Sequence, residues 1–416
     1  MSSPPIKVAV LGFGMSAQVF HIPFIQSLSQ HSHLTTILER SATADSSKAR
    51  DAFPEVKVVT HLQHVLDDDE LELVFVSTIN DTHYEYTKAI LNAGKHVVCE
   101  KALTPTSAEA YELAELASKK NLVLAVYQNR RWDSDFLTLK QVLAENRLGE
   151  LSEFTSHFDR YKNEAATTKL WKEKVGRKYP SRVHLRECKP LSSLFWIRQD
   201  LPGSGAAYDL GSHLVDQILA LFGKPQAVTG FVRNSRSIGN PDVPDSFLIH
   251  LHYPSTSEAG RRLPLIATAR GSVLSLVSPQ MRFTVKGTKG AFIEHGLDVQ
   301  EDQLKKGAKS AVDQADFGVE PKELQGTLYE VEGGHKIETE TGNYKAWFEN
   351  VAEVSIIFPI FAPCHELTKD SDTPSTQAIR SKDRSKLIVT PEAAALTIEI
   401  IEKATQSSKE GRTIQL

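Results

Sequence analysis

Three polar residues of this 416-residue chain have the types needed to move a hydride and a proton together: Lys101, Asp209 and His213. Oxidation of a carbinol carbon requires that its hydroxyl proton leave, and a neutral imidazole, with a reference pKa of about 6.5, is suited to accept it. An ammonium group stabilises the developing alkoxide, and a carboxylate orients the imidazole and offsets the charge it gains. Asp209 and His213 stand four apart, on one face of a helix predicted over 206–222, while Leu210, Leu214, Ile218 and Leu221 take its core-facing positions. Taken alone, a helical Asp–His pair is more often structural than catalytic. Its company decides the reading, because Glu100 and Lys101 end a predicted strand in the crevice where a nicotinamide ring belongs.

The elements that must position this set begin at the N-terminus. The apolar run from Ile6 to Leu11 breaks into Gly12-Phe13-Gly14-Met15-Ser16-Ala17, a Gly-x-Gly-x-x-Ala turn from strand into a helix predicted over 16–29. Gly12 permits the tight turn, Gly14 admits a pyrophosphate and Ala17 lets the helix pack closely on the strand; the helix N–H groups then face the phosphates. Further strands are predicted at 34–39, 56–60, 73–78, 96–100 and 123–127, with helices between them that include 84–92 and 106–120. Such alternation specifies an α/β dinucleotide-binding domain over residues 1–128, a parallel sheet with ligands at its carboxyl ends. Thr78 and Asn80 then line the adenosine or nicotinamide-ribose side. After the second strand the cues conflict: Glu39 is suited to the ribose 2′-hydroxyl of NAD, Arg40 and Ser41 to the 2′-phosphate of NADP.

Residues 129–416 read as a second, α+β domain. A helix is predicted at 133–146, strands at 153–161, 227–233, 247–253, 265–270, 273–277 and 282–286, and a last helix begins after Thr390 with Pro391 in its first turn. Strands in such succession imply a mostly antiparallel sheet. His250 and His252 lie two apart on one of them without a third ligand nearby, so no metal is expected. Cys99 reads as core, His83 as local structure, and His21 as packing or a near-site contact. The segments 301–323 and 366–384 read as polar surface excursions.

Composition narrows the class. A net charge of −4 gives no basic signature for nucleic acid, and no apolar run approaches membrane-spanning length. Three scattered cysteines suit a reducing compartment, which predicts a cytoplasmic protein.

Several motifs together resemble the glucose-fructose oxidoreductase, inositol dehydrogenase and rhizopine catabolism (Gfo/Idh/MocA) family, and most of all its NADP-dependent scyllo-inositol dehydrogenase branch. They are Gly12-Phe-Gly-Met-Ser with Val19-Phe-His-Ile-Pro23, Gly94-Lys-His-Val-Val98, Tyr127-Gln-Asn-Arg-Arg-Trp-Asp133, Tyr208-Asp-Leu-Gly-Ser-His213 and Ser407-Ser-Lys-Glu-Gly-Arg-Thr-Ile414. The resemblance implies reversible oxidation of a polyol, cyclitol or sugar hydroxyl, with Lys101 as the family lysine and Asp209 and His213 as its acid/base pair. It tips the cofactor toward NADP over NAD. Asn129, Arg131 and Trp132 are implied contacts with cofactor or substrate, and Tyr161 and Trp196 are taken as substrate contacts. An open sheet that commonly forms the oligomer interface implies a homodimer or homotetramer. The alternative is a non-catalytic nucleotide-binding sensor of the same fold. The chain departs from the family where Glu-Lys-Pro becomes Glu100-Lys101-Ala102, which argues against a cis bond after Lys101. It also carries an apparent insertion over 163–190, whose basic segment 169–189 reads as a solvated loop, the alternative being a flap that attracts an anionic sugar or a cofactor phosphate.

Overall fold

The computed structural model describes residues 5–163, 203–238, 240–255, 263–357 and 386–416. The 164–190 part of the insertion, Trp196 and the polar segment 366–384 lie outside the described residues.

Six parallel strands form the first sheet: β1 (Ile6–Leu11), β2 (Ser32–Leu38), β3 (Lys57–Val59), β4 (Leu73–Val76), β5 (His96–Cys99) and β6 (Leu124–Val126), in the order β3-β2-β1-β4-β5-β6. Val8, Ala9, Val10 and Leu11 are wholly buried, as a central parallel strand covered on both faces must be. The strand order reverses between β1 and β4, which opens a crevice at their carboxyl ends. The helix after the glycine turn is not uniform: a π-turn, Ala17–His21, precedes the α-helix Ile22–Ser27. The helix Ser107–Lys119 starts where its sequence says it should, because Thr106 and Glu109 form a reciprocal capping box.

The second sheet is mixed and mostly antiparallel. Its strands are β7 (Leu151–Asp159), β8 (Ala227–Arg233), β9 (Ser246–Tyr253), β10 (Leu265–Ser272), β11 (Met281–Gly287), β12 (Ala291–His295), β13 (Thr327–Glu330), β14 (Gly333–Lys336) and β15 (Ile414–Gln415), in the order β14-β13-β12-β11-β7-β10-β9-β8-β15. Only the β7–β10 pair among these is parallel. One face carries Phe154, Ile249, Leu251, Ala267, Phe283 and Val285, all buried. The final helix, Pro391–Glu410, packs on β8 and on Ser107–Lys119, and Glu402 accepts from the Ser107 amide at 3.0 Å, so the end of the chain ties the two sheets together.

Three expectations are corrected. The run 273–277 is not a strand: beyond the Tyr161–Leu274 bridge it is an exposed loop, with Leu276 at 75% and Val277 at 62% exposure. Residues 301–323 are not merely a surface excursion, since the helix Gln300–Ala311 buries Leu304 and sends Glu301 to an ion pair with Arg130. Sequence polarity does not separate a solvated charge from a paired one. Finally, the Lys101–Ala102 peptide bond is cis although no proline stands there.

Candidate active site

A cavity of about 1150 Å³ runs from the glycine turn to the helix Ser212–Phe222, lined at one end by Gly12, Phe13, Gly14, Met15 and Ser16 and at the other by Lys101, Asp209 and His213. Gly12 has φ of +92°, and a Cβ there would stand 2.6 Å from the Ser77 carbonyl oxygen, so neither the turn nor its neighbour tolerates a side chain. Beside Gly14 nothing lies within 4 Å of where a Cβ would stand, which leaves its backbone open to close approach. Ala17 is buried behind the turn, where it serves packing rather than contact.

At the end of β2, Glu39 lines the cavity while its carboxylate is held by the chain itself. Its carboxylate accepts from the Ser47 hydroxyl at 2.7 Å and from the amides of Ala49 at 3.0 Å and Lys48 at 3.3 Å, pinning the start of the helix Lys48–Ala52. Desolvation raises its pKa, but these bonds outweigh it and leave the group below the ordinary carboxylate range. Arg40, Ser41 and Lys48 are exposed and line the same end of the cavity. Thr78 and Asn80 also line it.

The end of β5 is a cluster of partners. Glu100 accepts from the Ser16 hydroxyl, from the His21 ring at 2.8 Å and from the Lys101 amide at 3.1 Å. Burial raises its pKa, but His21, Ser16 and the Lys101 charge bring it down to about 2, so it stays ionised. It joins the phosphate turn to the lysine. The Lys101 ammonium donates to the Asp209 backbone carbonyl at 2.6 Å and to its carboxylate at 3.3 Å.

Asp209 belongs to a π-turn, Ala207–Gly211, that precedes the regular helix. The wider turn changes the geometry that a spacing of four has in an α-helix. Its carboxylate therefore meets Lys101 and stands 4.0 Å from Arg160, while the Nδ1 of His213 has no hydrogen-bond partner among the described residues. His213 is buried. Desolvation, then the charges of Lys101 and Arg130, push its pKa well below 6.5 against the opposing charge of Asp209, so the imidazole is neutral.

The remaining candidates divide. Asn129 lines the cavity, whereas Arg131 forms a two-pronged ion pair with Asp216, both contacts 2.7 Å, and fastens the turn Asn129–Trp132 to the helix Ser212–Phe222. Trp132 is buried outside the wall, its carbonyl accepting from Asn343 and Gln300. Tyr161 is 52% exposed and also outside the wall; its neighbours Phe158, Asp159 and Arg160 line it instead. Sequence reasoning missed Arg130, which lies over the Phe158 ring and pairs with Asp133 at 3.2 Å and Glu301 at 2.5 Å. Nothing local marks Glu301, which is 171 residues away from Arg130 in the chain.

A family model described as an oxidoreductase family with an NAD-binding Rossmann fold matches residues 6–128, and the model of the GFO/IDH/MocA C-terminal domain matches residues 136–293. The chain belongs to the Gfo/Idh/MocA oxidoreductases. An uncharacterized oxidoreductase of Schizosaccharomyces pombe is 42% identical, over 86% of this chain and 92% of its own. The scyllo-inositol 2-dehydrogenase (NADP(+)) IolW of Bacillus subtilis is 33% identical over 99% and 96%. Among solved structures, the Bacillus subtilis oxidoreductase YvaA superposes with a TM-score of 0.78 at 32% identity, covering 100% of this chain and 99% of its own. In this chain a Rossmann-type sheet is followed by a large mixed sheet. No described helix is long and apolar enough to cross a membrane.

Proposed function

We propose that this family member moves a hydride between NADP, in preference to NAD, and a hydroxyl or keto carbon of a polyol, cyclitol or sugar-like substrate. Residues 1–128 hold the nucleotide and residues 129–416 the substrate, in a cytoplasmic homodimer or homotetramer. The observation that carries this reading is the joint presence, in one cavity with the glycine turn, of the Lys101 ammonium and the neutral His213 imidazole.

When bound, the nicotinamide supplies the hydride acceptor, and the open backbone at Gly14 with the Ser16 side fits its pyrophosphate. The residues of the chain handle the proton and the charge. In oxidation His213 takes the hydroxyl proton as hydride leaves the carbon; in reduction it returns that proton to the oxygen. Lys101 stabilises the alkoxide between those events. Asp209 holds the ammonium and favours the charge that His213 acquires. The preference for NADP is supported by the commitment of Glu39 to its own helix, which leaves Arg40, Ser41 and Lys48 to meet a 2′-phosphate. The name of the full-length relative IolW points to the same cofactor and to a cyclitol.

The test is turnover of NADP and NAD across a panel of polyols, cyclitols and sugars, run beside equilibrium binding of both reduced cofactors. Turnover with tighter NADPH binding is expected. Tight cofactor binding without turnover on any of them would replace this reading with the sensor.

A further inference from the structure

His83, the first residue of the helix His83–Asn92, is wholly buried and does not itself line the cavity, yet both of its ring nitrogens face oxygen. Nδ1 lies 2.9 Å from the Ala102 carbonyl oxygen and Nε2 lies 3.2 Å from that of Thr78. A carbonyl oxygen only accepts. A neutral imidazole has one N–H, so one nitrogen would turn its lone pair on another lone pair; the doubly protonated ring alone satisfies both contacts. We propose that His83 is a positioning residue for Lys101, an imidazolium that ties the backbone of Thr78 to that of Ala102 behind the wall the two cavity residues Thr78 and Lys101 form.

The surroundings fit a cation. Cys99 of β5 and Glu100 are the titratable groups that face it; the Thr78 and Thr82 hydroxyls beside it bond each other at 2.7 Å. Burial lowers the pKa of the ring; negative charge on Cys99, which a protonated thiol lacks, is the largest opposing cause, and with the Ala102 carbonyl and Glu100 it takes the ring to about 9. Lys101 is then fixed on three sides: its amide by Glu100, its ammonium by Asp209 and the carbonyl of the residue after it by His83. The last anchor matters more where Ala102 stands, because alanine lacks the ring with which a proline fixes φ. Since the pKa is raised in the folded state, the anchor is fully present below about pH 6.5 and is lost as pH rises through about 9.

The effect on turnover rests on the hydride-transfer reading, whereas the charge of the ring does not, and two experiments separate them. The first is nitrogen NMR of the histidines in the whole wild-type protein, with His83 assigned through His83→Asn. Both ring nitrogens protonated at pH 7 and titrating near pH 9 is expected; a neutral tautomer at pH 7 overturns the proposal. The second measures kcat, KM and NADPH binding of His83→Ala in the wild-type and Lys101→Met backgrounds. Misplacing the lysine should lower kcat about 10- to 100-fold with NADPH binding unchanged, and the loss should vanish once Lys101 is gone. His83→Asn, whose amide can still reach one carbonyl, should recover part of it and stands in if the alanine variant does not fold. An undiminished loss in the Lys101→Met background, or a loss in NADPH binding instead of kcat, assigns His83 a merely structural role.

Discussion

At the end of β5 the chain surrounds a charge with partners: Glu100, Asp209 and the backbone around Ala102 all hold Lys101 in one place. At the start of the helix Ser212–Phe222 it does the reverse. Nδ1 of the buried His213 has no partner among the described residues, and desolvation, then the cations around it, keep the ring neutral. On the proposed mechanism the difference matches two tasks. A group that stabilises an alkoxide must already be charged and aimed, whereas a base must be uncharged until the proton arrives. Asp209 serves both, by contact with the lysine and by field at the imidazole.

The comparison is broken most directly at its neutral side. His213→Ala should lower turnover by about 10²- to 10⁴-fold with NADPH binding nearly unchanged, as measured by steady-state kinetics and cofactor fluorescence; near-normal turnover would remove His213 from the mechanism. Lys101→Met should cost about 10²- to 10³-fold, the scale of a lost oxyanion donor, and should appear in kcat more than in KM. Asp209→Asn should cost about 10²-fold, and in combination with Lys101→Met should add less than that factor, because one of the two jobs of Asp209 is then already gone.

The pH profile sharpens the comparison without removing either group. Because the pKa of His213 is depressed, it is deprotonated above pH 6.5, so the acid limb of kcat/KM for oxidation should fall below that value and the rate should owe nothing further to His213 above it. Asp209 raises that pKa and Lys101 lowers it. The limb should therefore move to lower pH in Asp209→Asn and to higher pH in Lys101→Met; a limb that moves the same way in both would refute the field argument. The smallest effect lies at the far end of the cavity. Arg40→Ala should weaken NADPH binding about 10-fold, the order of one lost charge-assisted bond, and leave NADH binding unchanged. Equal loss for both cofactors would place Arg40 outside 2′-phosphate recognition.

Much of this was legible in the chain because it depends on neighbours in sequence. The turn at Gly12 and Gly14, the apolar continuity of β1, the helix that begins beside Thr106 and the Pro391 helix start each need only a few adjacent residues, and all stand where they were expected. The short strands β12 to β15 were not read, since runs of two to five residues carry little periodicity. At the site, sequence singled out Lys101, Asp209 and His213, and the cavity joins all three. It did not foresee that Asp209 would turn to the lysine, because a π-turn and an α-turn have the same letters.

What the sequence determined by itself is therefore the class of the fold, the phosphate turn and the residue types available for proton and hydride chemistry, all properties of local spacing. Tertiary structure decided which of those groups are charged and toward what they point. Glu39 is held by the start of its own helix, Arg131 pairs with Asp216, Arg130 reaches Glu301 across the chain, and His83 meets two carbonyls at once. Each of these is settled by desolvation and by the partners that the fold brings into reach, and neither is written in the identity of the residue alone.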